Sequence, residues 1–117
     1  MAEEQDLRER PTKFALRTVR LFVALPKTTE AQVLRKQLLR SGTSIGANYR
    51  EAHRARSKKE LIAKCGDCLR EAEETAYWLE LLGTSKIAPA VRLEPLRQEV
   101  DELIAIFVAI LKRSKGV

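Results

Sequence analysis

Residues 57–83 read SKKELIAKCGDCLREAEETAYWLELLG. Apolar or small side chains recur there at Leu61, Cys65, Cys68, Ala72, Thr75, Leu79 and Leu82, in steps of 4, 3, 4, 3, 4 and 3. That spacing falls on one face of a helix, and its heptad rhythm is the seam of helices packed side by side. Ser57 and Glu60 form a capping box. The Ser oxygen can accept from an unpaired N–H of the first turn while the Glu reaches back. Gly83 supplies a stop. The stretch therefore predicts one amphipathic helix over 57–82, whose seam needs partners.

Upstream, Thr28 and Thr29 can cap a helix over about 29–55. It carries Leu34, Leu38, Ile45, Tyr49 and Ala52. The phase survives Gly42 and Gly46, although each weakens a helix by about 1 kcal/mol relative to Ala. A shorter helix over about 12–25 carries Ala15, Val19 and Phe22, with Leu16 and Val23 beside them, and stops at Pro26. Residues 1–11 read as a polar N-terminal arm. Downstream, 84–92 is the one longer connection, broken by Pro89. A helix over about 94–114 follows, with Pro95 in its first turn and Leu96, Val100, Leu103 and Phe107 along it. The prediction is all-α: an antiparallel up-down-up-down four-helix bundle over 12–115.

Composition agrees. A chain of 117 residues is one domain's worth, and an apolar fraction of 44% can bury a core. Aromatics at 5%, with 5 Gly and 4 Pro, are too few for a β-sandwich. The polar start Ala2-Glu3-Glu4-Gln5-Asp6 is unlike a signal or transit peptide. The longest apolar run, Leu103 to Leu111, is short of the roughly 20 residues a membrane span needs. A soluble, cytoplasmic protein with no membrane partner is expected. Ile104 to Leu111 is apolar all round a helix, which one intramolecular face cannot bury. Ile106, Phe107 and Ile110 are the candidate interface of a homo-oligomer, the alternative being that the N-terminal arm folds over them.

The net charge is +6. Residues 1–59 hold 14 Lys/Arg and 6 Asp/Glu, a balance of +8, whereas residues 60–117 hold 8 and 10, a balance of −2. Arg50, Arg54, Arg56, Lys58 and Lys59 cluster around the turn between the second and third helices, with Arg35, Lys36 and Arg40 upstream. Such a cluster neutralises phosphates. It makes RNA or DNA the candidate partner, against the plainer reading of a solvated basic face.

Other candidate chemistry is thin. Cys65 and Cys68 form a C-x-x-C, but they lie inside a helix on its apolar seam, without the βαβ setting of a redox motif. They read as small core residues. One C-x-x-C and the lone His53 cannot complete a zinc site within the chain, and no cofactor is implied. Glu71 and Glu74 share a helix face, but a di-iron bundle wants Glu-x-x-His. They read instead as partners for a basic residue, Arg40 or Arg70, across from the polar stripe Gln37, Ser41, Ser44, Asn48 and Glu51. No catalytic set emerges, so the chain reads as a non-enzyme.

The stretch Leu39-Arg40-Ser41-Gly42-Thr43-Ser44-Ile45-Gly46-Ala47-Asn48, then Glu51 and Arg56 to Leu61, resembles the four-helix-bundle family encoded in 23S ribosomal RNA intervening sequences. So does Arg70 to Leu82. Ser44, Asn48, Glu51, Glu71, Glu74 and Trp78 carry the polar part of that pattern. The chain departs from it at Tyr49, Arg50 and Ala52. The resemblance implies antiparallel bundles assembled as ring-shaped pentamers. A related branch, the accessory variability determinant of diversity-generating retroelements, implies nucleic-acid binding or service to a reverse transcriptase. The alternative to nucleic-acid binding is thus a protein-interaction scaffold or accessory subunit.

Overall fold

The computed structural model describes residues 2–116. Four helices follow one another: α1 (Ala2–Ala24), α2 (Thr29–His53), α3 (Lys58–Thr84) and α4 (Ala90–Ser114). No strand occurs among the described residues.

Cross-helix contacts fix the directions. Along α2 and α3, Ser41 meets Thr75, the Ile45 carbonyl meets Cys68, and Glu51 meets Lys64. Along α1 and α2, Thr12 meets Arg50, Thr18 meets Gly42, and Phe22 meets Arg35. In both pairs one chain number rises as the other falls, so the neighbours run antiparallel. The rod measures 45 × 22 × 22 Å. The seam between α1 and α4 is thin by comparison with the other three. It is tied by Arg10, which donates to Glu99 (2.7 and 2.9 Å) and Glu102 (2.8 Å).

The heptad seam of α3 faces the core as its spacing predicts, from Cys65 through Leu79 and Leu82, with Leu61 half-buried at its start. Leu93, Leu96, Val100, Leu103 and Phe107 do the same on α4. The face of α1 is a correction. Its buried row is Leu7, Pro11, Phe14, Thr18, Leu21 and Leu25, while Leu16, Val19 and Val23 stand in water. A polar residue and a proline interrupt the true row, so apolarity alone selects the wrong one. Thr18 tolerates burial because its hydroxyl donates to the Phe14 carbonyl at 2.9 Å.

Residues 2–11 are a further correction: they continue α1 as helix rather than forming an arm, and only Met1 of that segment lies outside the described residues. Proline costs a helix one hydrogen bond, but the Pro11 ring is buried where α1 approaches α2 at Gly46. Contact is closest at Gly42, where a β-carbon would stand 2.8 Å from Thr18 Cγ2. The two glycines that weaken α2 locally are what let α1 lie so near.

Helix α3 runs one residue past Gly83. Its last turn closes with Lys86 N–H donating to the Gly83 carbonyl (3.1 Å) and Ile87 N–H to the Leu82 carbonyl (3.1 Å). That pair of bonds is a Schellman motif, and it holds Lys86 at a left-handed φ of 63°. Helix α4 starts earlier than Pro95. Pro89 stands at its cap, so Pro95 is not in the first turn as the spacing suggested but sits at the sixth helical position, where its missing N–H costs the helix the bond to the Val91 carbonyl.

Candidate nucleic-acid interface

In an antiparallel bundle the starts of α1 and α3 share one end with the finishes of α2 and α4. The basic residues around the α2–α3 turn lie at that end. Arg50 and Arg54 close α2, where cations favour the negative helix pole. Ser57 caps α3, accepting from Glu60 N–H at 3.1 Å. The Glu60 carboxylate reaches back to the Arg56 N–H at 3.5 Å, one residue before the box partner that the spacing suggests. This short, pinned turn holds Arg54, Arg56, Lys58 and Lys59 in solvent.

Other helices add charge there. A shallow cleft of about 580 Å³ brings Arg8 and Lys13 of α1 beside Arg50, His53 and Arg54, with Glu9 and Thr12 between them. The Arg50 guanidinium lies 3.4 Å from Thr12 Oγ1. An adjoining groove brings Arg113 of α4 beside Arg56 and Lys58. Sequence reasoning missed Arg8, Lys13 and Arg113 because they lie far away along the chain. Antiparallel topology was the signal that could have found them: Lys112, Arg113 and Lys115 close α4 at the end where α2 also finishes.

Three of the eight cations expected at the site lie elsewhere. Arg35 is buried at 7% exposure and donates to the Phe22 carbonyl at 2.7 and 3.3 Å. Its guanidinium lies 3.7 Å over the Phe22 ring. It is a cap on the end of α1, unavailable to phosphate. Arg40 is ion-paired with Glu71 and Glu74 at mid-bundle. Lys36 is exposed, but eighteen residues of helical rise, about 27 Å, separate it from Arg54.

The polar pattern divides likewise. Glu71 and Glu74 meet Arg40 as expected, while Arg70 turns to Asp67 at 3.0 Å. Thr75 donates to Ser41 in the core at 2.8 Å. Ser44 and Asn48 bond to carbonyls of their own helix. Glu51 pairs with Lys64 at 2.7 Å, and that hydrogen bond raises the Lys64 ammonium above its usual pKa. Trp78 packs against Tyr77, and its Nε1 is buried with no partner among the described residues.

Cys65 and Cys68 are fully buried free thiols, and burial raises both pKa values. A reactive thiol needs the opposite shift. No group of three or more metal-ligating side chains occurs among the described residues. Phe107, expected at an interface between subunits, is instead fully buried in the chain's own core against Tyr49. Ile106 and Ile110 are half-buried in the wall of the groove. No helix among the described residues is long and apolar enough to cross a membrane.

A family model described as 23S rRNA-intervening sequence protein matches residues 3–109. The fold is similar to the crystal structure of a protein with unknown function from the S23 ribosomal protein family of Bacteroides thetaiotaomicron. That likeness has a TM-score of 0.84 and 39% identity, over 90% of this chain and 97% of that one. No curated protein matches.

Proposed function

From the premise that the chain belongs to the 23S rRNA-intervening sequence protein family, we propose that it is a non-enzymatic, cytoplasmic nucleic-acid-binding protein. It binds through the basic end of its bundle. The observation that carries this reading is convergence: Arg50, Arg54, Arg56, Lys58 and Lys59 gather there with Arg8, Lys13 and Arg113 from two other helices. Phosphate neutralisation releases counterions and needs no base contact, so sequence specificity is low.

The protein acts as a homo-oligomer, a pentamer by family resemblance, which multiplies a modest affinity. Phe107 lies in the core, and the apolar residues in water on α1, Leu16, Val19 and Val23, support a subunit contact on that face in place of the one expected at Ile106 and Ile110. Arg17 and Arg20 border that face. Exposed Tyr77 with Glu73 and Glu80 on α3 offers the complementary surface, and a head-to-tail contact of unlike faces is the kind that closes rings.

Fluorescence anisotropy with labelled RNA and DNA of unrelated sequence tests the reading. The double variant Arg54→Glu/Lys58→Glu should lose affinity for all sequences alike, with helicity unchanged. Ser57→Ala removes the cap at a cost of about 1 kcal/mol but no charge, and should bind as wild type does. Equal binding by all three proteins would reduce the cluster to a solvated face.

A further inference from the structure

Beside the exposed cations, the same end of the bundle holds a feature that phosphate binding does not use. Where α1 and α4 part, an open groove of about 1110 Å³ runs into the bundle. Aliphatic side chains line it, among them Leu7, Leu61, Ile106 and Ile110. Its rim is cationic: Arg56, Lys58 and Arg113, none of which has an ion pair among the described residues. Among those residues no carboxylate lines it.

We infer that this groove docks an acidic amphipathic helix of a partner protein. Three observations select that occupant. The groove is open to solvent, unlike a cavity that encloses most of a small ligand's surface. Helix-in-groove recognition places an apolar stripe on such a floor. A cationic rim with no ion pair among the described residues, around an apolar floor, wants carboxylates flanking that stripe, so the charge complement is a helix bordered by Glu or Asp. The floor suits nucleic acid poorly. Single strands hold their bases by stacking on aromatic faces. The one aromatic ring in the wall besides exposed His53 is Tyr49, which is 8% exposed and packed on Phe107. The inference concerns a different partner from the nucleic acid proposed above and does not rest on that reading. Because Arg56 and Lys58 serve both surfaces, the two partners compete.

The test is selection of a displayed library of helical peptides on the whole protein. The peptides carry apolar residues at helix-face spacing and randomised flanks. The expected result is enrichment of Glu and Asp in the flanks. A selected peptide should lose about fivefold in affinity on Arg113→Glu and bind Ile110→Glu undetectably. Arg113 is exposed, so its reversal leaves the fold intact, which circular dichroism verifies and which keeps the test decisive if Ile110→Glu unfolds. No acidic bias, no binder, or binding indifferent to Arg113 would overturn the inference. Two further results would overturn it by giving the groove another occupant: a wild-type oligomer that a folded Ile110→Glu protein fails to form, or RNA affinity that falls with Ile110→Glu.

Discussion

Replacing Gly42 by alanine probes how closely α1 and α2 lie. On propensity alone the change should stabilise α2 by about 1 kcal/mol. Space decides otherwise. The new β-carbon would stand 2.8 Å from Thr18 Cγ2 and 3.0 Å from Thr18 Oγ1. Thr18 is buried and β-branched, and its hydroxyl is bonded to the Phe14 carbonyl, so it has little room to turn away. Overpacking of this kind costs about 1–3 kcal/mol, which leaves a net loss of up to about 2 kcal/mol once the propensity gain is subtracted. Gly66 is the control, because a β-carbon added there would meet nothing within 4 Å. Gly66→Ala should gain close to the full propensity difference, about 1 kcal/mol. Urea unfolding followed by circular dichroism, at one fixed protein concentration, measures both. Adding Thr18→Ala to Gly42→Ala removes the clashing atoms, so the pair should couple favourably by about 1 kcal/mol or more. A Gly42→Ala protein more stable than wild type, as Gly66→Ala should be, or a double variant with no coupling, would refute the packing argument.

Lys86 holds a left-handed conformation that suits glycine, so Lys86→Gly should raise stability by about 1 kcal/mol, read from the urea midpoint. Burial raises the Cys65 and Cys68 thiols, so folding favours their protonated forms. Their contribution is complete below the unfolded thiol pKa of about 8.5 and is lost as pH rises above it toward the folded values. Unfolding midpoints should therefore fall from about pH 8 to about pH 10 in wild type and fall less in Cys65→Ala/Cys68→Ala. Val19→Glu places a charge on the exposed face of α1 and should split the oligomer with helicity retained. Light scattering that finds the wild-type protein monomeric at micromolar concentration, or the variant unchanged in mass, would contradict that interface.

Where one row of apolar residues dominated, the sequence was readable. The α3 seam and the Ser57 cap needed nothing beyond spacing, whereas two polar stripes pointed to a basic partner for Glu71 and Glu74 but left Arg40 and Arg70 open, and packing chose Arg40. Helix α1 was misread because it offers two rows. The buried one passes through Pro11 and Thr18, whose fitness for the core depends on Gly46 and Gly42 of another helix. The basic site was half visible. Clustering in the chain finds Arg50 to Lys59, but it cannot show that Arg35 bends inward to the Phe22 carbonyl. Nor can it bring Arg113 beside Arg56, which is a consequence of topology. The groove was invisible, since it exists only where two helices distant in sequence fail to close.

The salt dependence of binding tests the central claim most directly. Anisotropy titrations of a labelled single-stranded RNA at several salt concentrations give the slope of log affinity against log salt. With five phosphates neutralised, the account predicts a slope of about −3.5, made shallower by about 1.4 in Arg54→Glu/Lys58→Glu. A flat dependence, or a slope that the double variant leaves unchanged, would contradict it.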